Sequence, residues 1–505
     1  MNGRMELMME LAERIAKMSP EQRKLLELKL KQQGVAGLQP PGRKESLYRT
    51  LEPVEKKQYY VLSSAQTRFF MLQQLDMEGM VFNMFHMMAV EGKLMRDQLE
   101  EALEKLINRH ESLRTCIDMF DEEPRQKIVP EVAFDLEYFE TDREEELDRI
   151  IRDFSRPFDL KKPPLLRLGL IKLAEEKYFL LFDMHHIISD ATSVNLLVMN
   201  LIAFYAGKEL PPLKIQYKDF CEWQNRLLMS GEIKKQEEYW LNYLAGDLPV
   251  LNMPTDYPRP SFQNFEGGSI DFQWDPEFTR QLKQLARETG ATLFMVLLAI
   301  YSILLSKYTR QKDIIIGLPI SGRNHTDLEN VIGLFIETLV LKIRLEGENP
   351  FSEFLEEVKQ NTLNAFENQV YPFRELLKKV GDESDFSRNP LFDAMLIMQK
   401  RDTDLEKFQV GKINVAPYER PAPIEAKVDI NLDVKDKEGK LFFTLEYCSK
   451  LFKRETMERF IVFFREIAST VAYNKGIKLD DIKISHDLLT AASGVYKGME
   501  NDFEF

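Results

Sequence analysis

The chain has 505 residues, too many for one ordinary core, and its 44% hydrophobic and 30% charged content describes a soluble globular protein of at least two lobes. Its formal net charge of -14 argues against a nucleic-acid or anionic-membrane partner, since either favours a basic face. The three cysteines, Cys116, Cys221 and Cys448, are far apart and form neither a CxxC pair nor a disulfide framework, so a reducing cytoplasm is expected.

At the N-terminus, "MNGRMELMMELAERIAKM" is interrupted throughout by Glu and Arg and lacks the apolar core of a signal peptide. No apolar run reaches the ~20 residues that cross a bilayer. Met5, Met8, Leu11, Ile15 and Met18 fall close to helical spacing. In "SPEQ", Ser19 is placed as an N-cap, with Pro20 in the first helical position and Gln22 closing a capping box. Residues 1–50 are therefore expected to be a helical appendage ending in a Pro- and Gly-rich linker. A first α+β segment runs to residue 248, a crossing strip follows over 249–268, and a second α+β segment covers 269–475. In the second segment, "EFTRQLKQLARETG" and the nearly all-apolar "TLFMVLLAIYSILLSKYT" predict helices, while "DIIIGLPI", "LVLKIRL" and "KLFFTLEY" predict strands. Residues 476–505 are expected to be a polar linker.

Within the first segment, "FDMHHIISDATS" (182–193) holds two of the chain's six histidines. "YFLLFDM" before them suits a strand buried on both faces. After Asp190, the residues Val194, Leu197, Val198, Leu201, Ile202 and Tyr205 mark one face of a helix, with Gly207 as its stop. Such strand-to-helix junctions are where α/β proteins place chemistry. Neighbouring strand residues point to opposite faces, so His185 and His186 cannot easily share an ion. Asp190 is either an N-cap or a buried carboxylate that needs a cation, and Arg323, after the 314–320 strand, is the candidate partner from the second segment. No GxSxG elbow and no GxGxxG occur, and "GLPISGRN" has Arg-Asn where a P-loop has Lys-Ser/Thr. A histidine without a protein nucleophile points to acyl transfer between two substrates, with an amine or a hydroxyl as acceptor.

"MHHIISDATS" resembles the HHxxxDG signature of condensation domains from nonribosomal peptide synthetases. In the same order as in that family, "LSSAQTRFFML" (62–72), "RHESLRT" (109–115), "YKDFCEWQ" (217–224), "IGLFIET" (332–338), "NQVYPFREL" (368–376) and "SRNPLFD" (387–393) resemble its other motifs, and the likeness spans residues 58–475. The resemblance implies an α/β (α+β), chloramphenicol-acetyltransferase-like fold, with two related lobes in a V around a central tunnel. It implies amide-bond formation between a donor thioester and the α-amine of an aminoacyl thioester, each carried on the phosphopantetheine arm of a carrier protein. The resemblance further implies that the domain itself binds no cofactor and no metal. Expected partners are the upstream and downstream carrier proteins, a following adenylation domain and a docking partner for the N-terminal helices. A monomer is expected, without nucleic acid or membrane. If Met1 is the natural start, the donor arrives in trans. An ester-forming acyltransferase of the same fold, or a non-catalytic recruitment module, are the alternative readings.

Carried over residue by residue, the resemblance makes His186, His185 and Asp190 the catalytic motif. His186 orients or deprotonates the amine, or stabilises the tetrahedral intermediate. His185 and Asp190 support it, and Arg323, Ser193 and Arg114 are structural supports. Two positions depart from the pattern. Ala191 replaces the motif's glycine and could narrow the space near His186. Glu337 stands where the family usually has Asn; it either lines the tunnel and favours a cationic substrate or, as favoured here, faces solvent.

Overall fold

The computed structural model describes residues 51–74, 79–381, 385–399, 408–418 and 424–484. The N-terminal appendage and most of the 476–505 linker lie outside these residues.

In chain order the first lobe comprises β1 (Tyr60–Val61), α1 (Ser64–Gln73), β2 (Asn83–Glu91), α2 (Arg96–Arg109), β3 (Thr115–Phe120), β4 (Glu123–Ile128), β5 (Glu137–Glu140), α3 (Glu144–Phe154), β6 (Leu166–Ala174), β7 (Lys177–His185), α4 (Ala191–Tyr205), α5 (Tyr217–Ser230) and α6 (Lys234–Tyr243). The second has β8 (Glu266–Trp274), α7 (Pro276–Glu288), α8 (Leu293–Thr309), β9 (Asp313–Ile320), β10 (Glu337–Arg344), α9 (Phe351–Glu367) and α10 (Phe373–Val380). It continues through β11 (Ala394–Gln399), β12 (Phe408–Val410), β13 (Ile413–Pro417), β14 (Ile424–Glu425), β15 (Ile430–Lys437), β16 (Lys440–Cys448) and α11 (Arg454–Tyr473).

Two sheets carry the lobes, ordered β12-β13-β2-β7-β6-β5 and β10-β9-β11-β15-β16-β8-β14, and a small third sheet is β1-β4-β3. The predicted histidine-bearing strand is β7, paired antiparallel on both sides with β2 and β6. Its period-2 alternation feeds two cores. Leu180, Phe182 and Met184 join one cluster with Leu197 and Val198 of α4, and Phe179 and Leu181 join another with Leu147 and Phe154 of α3. This is why the run reads as continuously apolar.

The second lobe is built around α8. Its N-cap Thr292 accepts the Met295 N–H, and most of its length is buried between α7, α9, α11 and the sheet. Asp275 caps α7 by accepting the Phe278 N–H, with Pro276 in the first helical position. No single helix among the described residues is long and apolar enough to cross a membrane.

The division at residue 268 needs one correction. β12 and β13 lie inside the 269–475 segment but belong to the first lobe's sheet, where β13 pairs with β2 from Asn414↔Glu91 to Pro417↔Met88. Burial explains the crossing, because Ile413 and Val415 enter the same core as Met88 and Val90. The crossing strip is itself fastened to the second lobe, where Arg259 donates two hydrogen bonds to the Asp429 carboxylate.

Candidate active site

β7 ends at His185, and His186 opens the short turn His186–Ile188. The end of the strand, rather than strand alternation alone, thus separates the two rings. Nδ1 of His185 accepts the Ile187 N–H at 3.0 Å, so the ring proton sits on Nε2, which donates to Gln73 Oε1 at 2.9 Å. The ring is fully buried, and burial together with the neighbouring His186 pushes its pKa down to about 3. It is a neutral strut.

His186 is 8% exposed. Its backbone N–H donates to the Phe82 carbonyl at 2.7 Å. Its Nδ1 lies 2.8 Å from the Ser189 carbonyl, which can only accept, so Nδ1 carries the proton and Nε2 keeps its lone pair. The ring packs on Phe69 with centroids 4.8 Å apart. Burial, then the positive charge of Lys427, push its pKa well below the ordinary histidine value, against a smaller opposing pull from Asp190. At neutral pH it is an uncharged acceptor.

Asp190 fills both roles left open by the sequence. It is the N-cap of α4, where Oδ1 accepts the Ser193 N–H at 2.8 Å. The same oxygen meets Nη2 of Arg323 at 3.1 Å, and Oδ2 accepts the Phe335 N–H at 3.0 Å. The Arg323 side chain is buried and its Nη groups also donate to the carbonyls of Leu328 (2.6 Å) and Val331 (2.7 Å) and to Ser193 Oγ (2.8 Å), while its Nε has no hydrogen-bond partner. Its guanidinium lies 4.1 Å over the Phe335 ring. The Ser193 hydroxyl donates to the Gly333 carbonyl and accepts the Gly333 N–H. Asp190, Ser193 and Arg323 therefore clamp the start of α4 in the first lobe to the 322–335 stretch of the second.

The other candidates are placed differently. Arg114 is spent on the carbonyls of Ile107, Val129 and Pro130, a support within the first lobe and not part of the clamp. Ala191 is the exposed first residue of α4 in helical conformation, so a glycine is not demanded there. The expectation that Glu337 faces solvent is overturned. It opens β10 and lines a pocket with Phe220, Trp223, Asn324, His325 and Gln369, because α5 and the turn before α10 pack across the strand's first residue. Burial raises its pKa to about 7, and the strongest opposing influences are the Phe373 N–H and the Arg68 charge.

Four contributors escaped the sequence reading: Gln73, Gln66, Phe69 and Lys427. Gln66 Nε2 donates to the Ile187 carbonyl at 3.1 Å and holds the histidine turn from α1. A signal existed, since Ser63 and Gln66 form an S-x-x-Q capping box that fixes the start of α1. Among the described residues, no three His, Cys, Asp or Glu side chains gather as a metal site.

The Condensation domain family model matches residues 56–491, most of the chain. The chain belongs to the condensation-domain family. The domain is 46% identical over 436 residues to gramicidin S synthase 2 of Brevibacillus brevis, a match covering 86% of this chain and 10% of that protein. It is 44% identical over 443 residues to tyrocidine synthase 2 of Brevibacillus parabrevis, covering 88% of this chain and 12% of the relative. The chain thus spans about a tenth of the length of the curated relatives it matches. Two solved structures share the fold. The X-domain in complex with OxyB from teicoplanin biosynthesis has a TM-score of 0.80 at 24% identity, covering 87% of this chain and 98% of that one. A four-domain nonribosomal peptide synthetase bound to AMP and glycine has a TM-score of 0.77 at 21% identity, covering 85% and 34%. The condensation domain accordingly has the chloramphenicol-acetyltransferase-like α/β fold of its family, and its relatives are multidomain synthetases.

Proposed function

We propose that this condensation domain joins a donor acyl or peptidyl thioester to the α-amine of an aminoacyl thioester, both delivered on phosphopantetheine arms of carrier proteins. The observation that carries this reading is the tautomer of His186: Nδ1–H is held by the Ser189 carbonyl, and Nε2 is left as an acceptor with no serine or cysteine among the described residues hydrogen-bonded to it. The nucleophile must then come from a substrate. The amine nitrogen attacks the thioester carbonyl, a C–N bond forms, the C–S bond breaks, and the amine proton leaves with the thiolate.

His186 has too low a pKa to draw a proton from a ground-state ammonium. It suits a neutral amine whose N–H is aimed at Nε2 during attack. Once the nitrogen bonds carbon it becomes strongly acidic, and Nε2 can take its proton and pass it to the departing sulfur. His186 is thus the catalytic residue. His185, Asp190, Ser193 and Arg323 are positioning residues. The thioester supplies the driving force, so the step consumes no nucleotide. An adjacent adenylation domain, a docking role for residues 1–50 and a cytoplasmic setting complete this reading. The three cysteines, all unpaired and buried, are consistent with such a setting.

Donor and acceptor carrier proteins loaded with their thioesters test it, with product read by mass spectrometry. Wild type should form the amide, and His186→Ala should slow transfer by about 10²- to 10⁴-fold. No amide from wild type, or transfer by His186→Ala at the wild-type rate, overturns the proposal.

A further inference from the structure

The Glu337 carboxylate, beside the clamp, is incompletely satisfied. Its Oε1 is buried without a hydrogen-bond partner. Its Oε2 accepts the Phe373 N–H at 3.4 Å, and the adjoining Thr338 N–H gives a weaker pull toward the ionised form. Arg68 does not neutralise it directly: that guanidinium lies over the Phe373 ring, 4.8 Å from its centroid, and no lysine, arginine or histidine among the described residues is within ion-pair distance of Glu337. An under-partnered carboxylate at such depth is expensive, and folds normally supply a cation for it.

The pocket it lines has the chemistry to receive one. Phe220 and Trp223 of α5 form an aromatic wall, with ring centroids 5.8 Å apart. Asn324 and Gln369 add amide side chains able to accept further N–H donors. An acidic group beside aromatic faces is a receptor for a compact cation. The location is also suitable. Gly322 and Asn324 of the lining flank Arg323, and Glu337 follows Phe335, whose N–H holds Asp190, by two residues. The pocket therefore shares a wall with the clamp that positions His186.

We propose that Glu337 is a specificity-determining residue, binding an aliphatic side chain that ends in a primary ammonium group on one of the two thioester-bound substrates. This rests on the condensation reading above. Glu337 takes one ammonium proton, the amide oxygens of Asn324 and Gln369 take others, and the methylene stem lies against Phe220 and Trp223. The raised pKa of Glu337, about 7, fits a carboxylate that awaits its partner and ionises fully when a cation arrives.

The test uses the full chain with loaded carrier proteins, in two arms. One arm presents lysyl or norleucyl thioesters at the acceptor position with a fixed donor, and the other presents the same pair as donors with a fixed acceptor. In one arm, wild type should favour lysyl over norleucyl by about tenfold or more in kcat/KM, the scale of a charge-assisted hydrogen bond. In the near-isosteric Glu337→Gln that ratio should collapse toward one. Because the ratio is taken within one protein, partial loss of folded material does not alter it. A ratio near one in both arms for wild type, or a ratio retained in Glu337→Gln, overturns this proposal while leaving the condensation reading intact. Failure of wild type to transfer any substrate overturns both.

Discussion

At the scale of single residues, the HHxxxD stretch assigns distinct tasks to chemically identical rings. His185 is locked between the Ile187 N–H and Gln73 Oε1, whereas His186 keeps Nε2 open. Ala191 belongs to the same stretch but carries no such burden. As the exposed first residue of α4 it gains from a helical Ala over Gly. Ala191→Gly should therefore lower stability in urea unfolding by up to about 1 kcal/mol; a stabilising effect would mean that this backbone prefers a conformation glycine alone adopts. The pairing of histidines, the N-cap and the need for a cation beside Asp190 were legible in the sequence because they are local patterns. The partner of His185 was not, since Gln73 lies 112 residues away and glutamine has no periodic signature. Glu337 was misread for a similar reason. Its neighbours in the pocket come from α5 and from the turn before α10, and nothing in "IGLFIET" encodes them.

At the scale of elements, the N-terminus of α4 and the 322–335 stretch hold each other. Arg323 and Asp190 are each about 5% exposed, so removing one strands the other's charge in a poorly solvated site. Arg323→Ala should cost about 3–5 kcal/mol in urea unfolding. In a double-mutant cycle with Asp190→Ala, the coupling should exceed about 1 kcal/mol; additive losses would contradict the direct contact. The loop's shape depends on Gly322. Its φ is +63°, and a Cβ there would stand 1.8 Å from the Phe335 carbonyl oxygen. Gly322→Ala should push the Phe335 backbone off Asp190 and lower both stability and amide transfer; wild-type values for both would show that the loop adapts. Long periodic elements such as α8 and β9 were readable from pattern alone. β12 and β13 were not. They are three and five residues long; β12 pairs only with β13, whose partner β2 lies more than 300 residues earlier. Only the shared core of Ile413, Val415, Met88 and Val90 explains where they go.

At the scale of the whole molecule, two populations of buried groups oppose each other as pH falls. Burial holds His86 at about 4 and His110 and His185 at about 3, with His186 shifted the same way. Unfolded histidines titrate near about 6.5. Below that pH the unfolded chain takes up protons that the folded chain refuses, and stability falls until the folded values are passed. The raised carboxyls act oppositely. Asp183 sits at about 6 and Glu337 at about 7, with Asp393 also raised by burial and by Asp429. Between those values and the ordinary carboxyl range near about 4, the folded chain binds protons that the unfolded chain does not, so stability rises as pH falls, and the gain is complete once both states are protonated. The two effects overlap between about pH 6.5 and 4.5 and largely cancel there. Below about pH 4.5 only the histidines remain, joined by exposed carboxylates such as Glu277 and Glu288, which neighbouring Arg280 and Lys475 hold below their usual range. The thermal midpoint should thus vary little from about pH 6.5 to 4.5 and fall steeply from there to about pH 3. His110 is fully buried and is not one of the clamp's hydrogen-bonding groups, so His110→Leu should make the acid limb shallower without moving its onset. Thermal unfolding across this pH range decides the matter. A steady decline beginning at pH 6.5, or an unchanged acid limb in His110→Leu, would show that these buried histidines do not govern acid unfolding.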